Sequence, residues 1–447
     1  MSPSTGPSAR SLAARSLAAR DRASVWHPFT QHAVWEADRP LVIERAEGMY
    51  VYDAEGRRYL DGVSSLWVTT HGHREPAIND AIKAQLDRLD HATFLGLTHE
   101  PGIELAELLL ESAPPGLAKV FYAGDGSSAV EAAIKMAFQA AAQRGERRPL
   151  YVHLAEGYHG DTLGAISVGG IELFHATYRP LLVQTRMISS PGALSPGQTR
   201  AECAQEVVAE LRSVMAREGA DVCAVVVEPM VQAAGGMLTH DGSFLRGVRE
   251  VCDAHGVSMI CDEVATGIGR TGRMWAVDHA GVTPDLLTCG KGLTGGYLPL
   301  SAVLTTQAVY DAFLGAPASA RTFFHGHTYT ANPLCCAAAI ANLRLMAERR
   351  LVEHAAWAGQ RLGELLEPLE AYEGVREVRR MGTMTGVEVE PAGERTGFEV
   401  CRRARDHGVW VRPLGDVVIL MPPLAIGEAG LGELVSAVDS AVREVVQ

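Results

Sequence analysis

The chain has 447 residues, with 40 Lys+Arg against 53 Asp+Glu, a formal net charge of −13, and 47% apolar against 21% charged residues. That is ordinary globular composition with length enough for two or three domains, and its acidity excludes nucleic acid or an anionic membrane as the main partner, since both select basic patches. No stretch approaches 18 uninterrupted apolar residues, so no membrane span is expected.

Residues 1–20 contain no acid, and the SLAAR of 11–15 recurs at 16–20. Four arginines (Arg10, Arg15, Arg20, Arg22) among serines and alanines suggest an organelle transit peptide. A repeat of this kind needs no function, however, and a disordered or loosely helical extension over 1–25 is expected. The segment lacks the apolar core of a secretory signal peptide. From Trp26 onward strands and helices alternate. Val51–Asp53 and Tyr59–Asp61 flank Glu55-Gly56 and read as a hairpin. Short apolar runs then follow at Lys119–Tyr122, Leu150–His153, Cys223–Val227, Met259–Cys261, Leu286–Thr288 and Ser301–Leu304, with helical periodicity at 129–142 and 243–254 between some of them. The alternation predicts an α/β fold with a mainly parallel sheet. Beyond about 337 come a long helical pattern, short strands near Gly386–Val389 and Val417–Met421, and a final helix. The expected plan is an extension over 1–25, a large domain over 76–336, and a small α+β domain built from 26–75 and 337–447. The eight cysteines (Cys203, Cys223, Cys252, Cys261, Cys289, Cys335, Cys336 and Cys401) form no CxxC pair and several sit in apolar runs. Free buried thiols in a reducing compartment, the cytoplasm, are expected.

Three constellations carry chemistry. In Phe121-Tyr122-Ala123-Gly124-Asp125-Gly126-Ser127-Ser128 a strand runs through a glycine turn into a helix whose unpaired amides and positive dipole end suit a phosphate. Gly126 allows close approach and Ser127 adds a hydroxyl, although a serine N-cap explains the pattern as well. No GK[ST] follows, so this is not the Walker loop. In Val257–Glu263 an apolar strand ends in two acids, where ligands of open α/β sheets sit. Twenty-nine residues after Asp262, Lys291 stands between Gly290 and Gly292 behind another apolar strand. Burial there would lower its pKa from about 10.4 and free a neutral amine, which condenses with aldehydes. A surface loop lysine is the alternative for that residue alone. Together, the anion cradle, strand-end acid and sheltered lysine are what pyridoxal phosphate requires.

With these features the chain resembles the class III, fold-type I, pyridoxal-phosphate aminotransferases. GYHGD (157–161), VVVEPMVQ (225–232), MICDEVATGIGRTG (259–272) and GKGLTGGYLPL (290–300) carry the resemblance, which covers nearly everything after Trp26. Within that family it is similar to the branch that aminates 8-amino-7-oxononanoate to 7,8-diaminononanoate in biotin biosynthesis, through WHPFT (26–30), DGVSSLW (61–67), HGH (71–73), FFHGHTYTANPL (323–334) and VRPLGD (411–416). The resemblance implies a cytoplasmic homodimer with shared active sites, whose ligands are pyridoxal 5′-phosphate, a keto acid and an amino donor. It makes Lys291 the Schiff-base and proton-shuttling lysine, Asp262 the partner of the pyridine nitrogen, and Gly126 and Ser127 the phosphate cradle. Tyr158 and Val264 then face the two sides of the ring, Thr328 contacts phosphate from the neighbouring subunit, and Asp161 and Glu228 stand behind these contacts. Phe29, Leu66, Trp67, Tyr158, Gly326, His327 and Arg412 would form the substrate site, with Arg412 gripping a carboxylate.

Branch members that take the amino group from S-adenosylmethionine usually show WHPY, SSWW, proline at the place of His327 and a tyrosine before LMPP. Here Phe29, Leu66, His327 and Ile419 stand instead, a pattern similar to the subgroup that uses L-lysine. Both donors stay open. So do two other activities of the family: transamination of other ω-amino acids such as 4-aminobutyrate, and aminomutase chemistry. A non-catalytic regulator would need a basic DNA-binding module that this chain lacks. The histidine pairs His71/His73 and His325/His327 lack a third ligand at metal-binding spacing.

Overall fold

A computed structural model describes residues 9–37 and 40–446. The chain opens with helix α1 (Ala9–Ser24). The extension expected to be disordered or loosely helical over 1–25 forms a regular helix over Ala9–Ser24, and its residues 1–8 lie outside the described part. Its alanine, leucine and arginine are strong helix formers. The five-residue repeat sets Ala14 and Ala18 four apart, so both face inward and are buried. The Ser11 hydroxyl donates to Glu55 at 3.3 Å, fastening the helix to the first hairpin.

Strands β1 (Ile43–Glu47), β2 (Tyr50–Asp53) and β3 (Arg58–Asp61) form an antiparallel meander. Helices α2 (Pro76–Leu86) and α3 (Glu100–Ser112) follow. The large sheet then begins with β4 (Leu117–Ala123), helix α4 (Gly126–Gln143), β5 (Leu150–Leu154) and β6 (Thr185–Ile188). It continues through α5 (Arg200–Glu218), β7 (Val222–Val227), α6 (Gly242–His255), β8 (Ser258–Asp262), β9 (Leu286–Cys289) and β10 (Ser301–Thr306). Strand order is β4-β10-β9-β8-β7-β5-β6, with β10 alone antiparallel to its neighbours. Strands β7, β8 and β9 are buried along their whole length, so each reads as an unbroken apolar run rather than an alternating one. Helix α4 covers one face of the sheet through Val130, Ala133, Ile134 and Ala137. Helices α3, α5 and α6 cover the other with Leu109, Leu211 and Phe244.

Helix α7 (Pro333–Glu348) packs on α2 and α3. The boundary expected between 336 and 337 falls inside this continuous helix. The chain breaks direction after it, at Arg350 with φ +50°, before α8 (Leu351–Leu366). The remainder is β11 (Val375–Met381), β12 (Met384–Val389), α9 (Thr396–Asp406), β13 (Val409–Trp410), β14 (Arg412–Leu414), β15 (Val417–Leu420) and α10 (Glu428–Val446). Strand β13 pairs with β3, and Leu60 shares a core with Leu362, Val387, Val400 and Leu434, so segments from both ends of the chain pack together. The eight cysteines are free and buried. Among the described residues no helix is long and apolar enough to cross a membrane.

Candidate active site

Parallel pairing of β8 with β9 sets Asp262 beside Thr288, three residues before Lys291. Register thus joins two residues that are 29 apart in sequence. Buried Asp262 accepts the Thr288 hydroxyl at 2.8 Å and the Val264 amide at 3.0 Å on Oδ1, and lies 2.7 Å from His159 Nδ1 through Oδ2. Burial alone would raise its pKa, but the His159 bond and charge outweigh that and keep the carboxyl below the ordinary aspartate value. Burial pulls His159 down in turn, and Asp262 more than offsets it, so the imidazole stays above its ordinary value. The neighbouring Glu263 points the other way, as strand alternation requires. Its carboxyl accepts the Ala276 and Val277 amides at 2.7 and 2.8 Å.

Lys291 leaves β9 with φ +44° and lies with Nζ 5.0 Å from the centre of the Trp67 ring. Burial lowers its pKa, opposed by the charges of Asp262 and Glu228. The loop carrying Trp67 is backbone-strained, with φ of +50° at Ser64, +62° at Ser65 and +65° at Trp67. It is held by the Ser64 hydroxyl on Met421 O at 2.7 Å. Fully enclosed Arg270 holds the same region, donating to Thr69 O at 2.8 Å and to Pro422 O at 2.7 Å.

At the end of β4 the helix cap is Asp125, which accepts the Ser128 amide and hydroxyl, both at 2.9 Å. Serine at the N-cap is thereby corrected, and the Ser127 hydroxyl is free to meet Thr162 Oγ1 at 2.8 Å on the cavity side. A Cβ on Gly126 would lie 2.6 Å from Val264 Cγ1, and one on Gly160 (φ +109°) 2.4 Å from Ser127 Cβ, so the cradle exists only with glycines there. The Tyr158 amide donates to Glu228 at 3.0 Å and its hydroxyl to Asp161 at 2.8 Å. Burial pushes Glu228 up to about 7.

These groups line a cavity of about 480 Å³ that includes Gly126, Ser127, Tyr158, Asp161, Asp262, Val264 and Lys291. A second cavity of about 440 Å³ adjoins it through Trp67, Tyr158 and Lys291, and is lined by Phe29, Leu66, Arg412 and Ile419. Arg412, on β14, is partly buried, which lowers its pKa, and it makes no ion pair with any described carboxylate. Gly326, His327 and Thr328 line neither cavity of their own chain. They lie in a run that alternates between exposed and half-buried residues, Gly326 and Thr328 exposed and His327 half-buried, beside Phe324, which is 81% exposed, with His325 joined to Lys135 at 3.0 Å on α4. Among the described residues no cluster of His, Cys, Asp or Glu is placed to hold a metal. Sequence reasoning passed over His159, Arg270 and Thr288, although the first two stand inside the GYHGD and GIGRTG runs.

The donor set suits pyridoxal phosphate. It comprises an ionised buried carboxylate, a lysine with lowered pKa, an aromatic wall and a glycine-only cradle at a helix N-terminus, on the fold of the fold-type I transaminases. The class III aminotransferase family matches residues 32–442, and the chain belongs to it as a pyridoxal-phosphate-dependent aminotransferase. The chain is 47% identical over 438 residues to an adenosylmethionine-8-amino-7-oxononanoate aminotransferase of Geobacter sulfurreducens, covering 95% of this chain and 97% of that one. The crystal structure of the corresponding Methanocaldococcus jannaschii protein superposes with a TM-score of 0.92 at 38% identity, covering 97% of this chain and 100% of that one. An amine transaminase from an uncultivated Pseudomonas species, solved in its PLP-bound form, gives 0.89 at 36% identity and covers 94% and 99%.

Proposed function

We propose that this aminotransferase converts 8-amino-7-oxononanoate to 7,8-diaminononanoate in biotin synthesis, as a cytoplasmic homodimer. The observation that carries the reading is the joined pair of cavities, one holding Asp262, Glu228 and Asp161 and the other largely apolar and reaching Arg412, with Lys291 at their junction. The names and near-full coverage of the relatives point to the same substrate.

When bound, pyridoxal phosphate supplies the electron sink through which an amino group leaves one carbon and reaches another. Asp262, kept ionised by His159, would hold the proton on the ring nitrogen. Gly126, Ser127 and the α4 amides would take the phosphate, and Tyr158 and Val264 the ring faces. Asp161 and Glu228 would fix Tyr158. Lys291 would shuttle a proton between the substrate carbon and the bound cofactor, removing it from the donor's amine-bearing carbon in one half-reaction and supplying one to the acceptor's carbon in the other. Arg412 would grip the carboxylate at the far end of the apolar chain, with Phe29, Leu66 and Trp67 excluding water. The partly exposed run holding Gly326, His327 and Thr328 supports delivery of Thr328 to the partner's phosphate site, and exposed Leu95 and Tyr329 support an apolar surface covered by a second copy. The donor is S-adenosylmethionine by the relatives' name, or L-lysine by the residues at Phe29, Leu66, His327 and Ile419.

The test supplies purified enzyme with 8-amino-7-oxononanoate and either donor. Formation of 7,8-diaminononanoate with at least one of them is expected. Turnover of 4-aminobutyrate with neither donor reacting would overturn the assignment.

A further inference from the structure

The substrate cavity contains a second charge that the proposed reaction has not used. Glu156 lines the cavity that holds Arg412 and Lys291. Its backbone takes φ +59°, a left-handed conformation that an ordinary side chain adopts at a cost. The position is pinned on both sides. Its amide donates to Gly170 O at 3.3 Å, and a Cβ on Gly235 would come within 2.7 Å of its carbonyl. The side chain is half-buried, and no described donor meets its carboxylate. Burial raises its pKa, and among the described residues it forms no ion pair with Lys291 or Arg412.

A half-buried charge without a partner is costly unless a ligand completes it. Here one cavity holds two such charges of opposite sign that do not neutralise each other. The occupant complementary to both carries a carboxylate and a cation held well away from the reacting carbon. The acceptor's ammonium lies on the carbon next to the reacting carbonyl, which keeps it beside Lys291. The donor is the reactant able to place a cation elsewhere.

We propose that Glu156 is a specificity-determining residue that selects amino donors bearing a second cationic group besides the amine they give up, such as an ammonium or a sulfonium. This rests on the aminotransferase reading of the site. It accounts for how a mostly apolar cavity, walled by Ile171, Phe174 and Leu414, could favour a dication over the neutral amino acids that otherwise suit such walls.

The test follows the donor half-reaction alone, through bleaching of the visible band of the holoenzyme, with L-lysine, S-adenosylmethionine and L-norleucine, which is lysine without its ε-ammonium. In Glu156→Gln, half-saturation by whichever cationic donor Glu156 meets should rise about tenfold with the maximal rate kept, while norleucine is unchanged. The arm that shifts identifies the cation as ammonium or sulfonium. In the native enzyme, affinity for that donor should improve as pH rises through the Glu156 ionisation, and the variant should lose that slope. An equal shift for norleucine, no shift for either cationic donor, or reaction with norleucine alone would overturn the proposal. The acceptor is absent from this assay, so failure to aminate 8-amino-7-oxononanoate is a separate result that tests the assigned reaction.

Discussion

The two ends of the active site are built by opposite rules. At the cofactor end, charge meets charge: Asp262 faces His159 at 2.7 Å and takes two further hydrogen bonds, and Glu228 accepts two backbone amides. Every one of these groups is held by a strand end or the turn just beyond it. At the substrate end Arg412 and Glu156 have no partner among the described residues, and the walls come from segments near residue 30, 66, 173 and 412. The carboxylates of the first end are already paired before anything binds, while the second end is complementary to a ligand that must bring its own charges. A preorganised end can be shared across a family while the open end sets the substrate.

Lys291 stands where the two ends meet, so its loss should be the largest effect. Lys291→Ala should cut turnover on the order of 10⁴-fold or more, and the purified variant should lack the visible band of the native enzyme. A variant that keeps the band and the rate would remove Lys291 from the reaction.

Arg412→Ala should act on the open end alone. The half-saturation concentration for carboxylate substrates should rise about 10- to 100-fold, the span of one charged hydrogen-bonding group. Cofactor affinity, read by titration of the apoenzyme, should stay as it was. A change in cofactor affinity instead would blur the division between the two ends.

That division also explains what could be read from the chain. The apolar runs of β4, β5, β7, β8, β9 and β10 are legible because a sheet covered on both faces leaves no alternation to misread. Asp262 and Lys291 are legible because each follows such a run directly, and glycines mark the places where only a bare backbone fits. His159 was not legible as a partner, since nothing local says that a residue after β5 meets the end of β8. Glu156 was missed for a related reason: its meaning lies in having no partner, and only the packed structure reveals that. Helix α1 was underestimated because its alanine-rich repeat looks like low complexity until its small face is seen against the hairpin. The residues 326–328 were placed at the site by resemblance, and no feature within a single chain brings them there.

The smallest effect tests the completeness of the closed end, using Glu263, which shares the strand end with Asp262 but faces the core. Its carboxyl is wholly buried and raised to about 8 by burial, against about 4.3 for glutamate in an unfolded chain. A raised folded pKa stabilises fully below the unfolded value and is lost as pH rises toward the folded one, because the unfolded chain gives up its proton first. Native stability should therefore decline across pH 4.3 to 8 from this group and level off above. Glu263→Gln cannot accept both the Ala276 and Val277 amides, so it should be less stable by about 1–3 kcal/mol at pH 5. It does not titrate, so its gap from the native protein should narrow steadily up to pH 8. Denaturant melts at pH 5, 6.5, 8 and 9 would show this, and parallel curves for the two proteins would mean that Glu263 is ionised throughout, with the amides of 276 and 277 strong enough to hold a buried charge unaided.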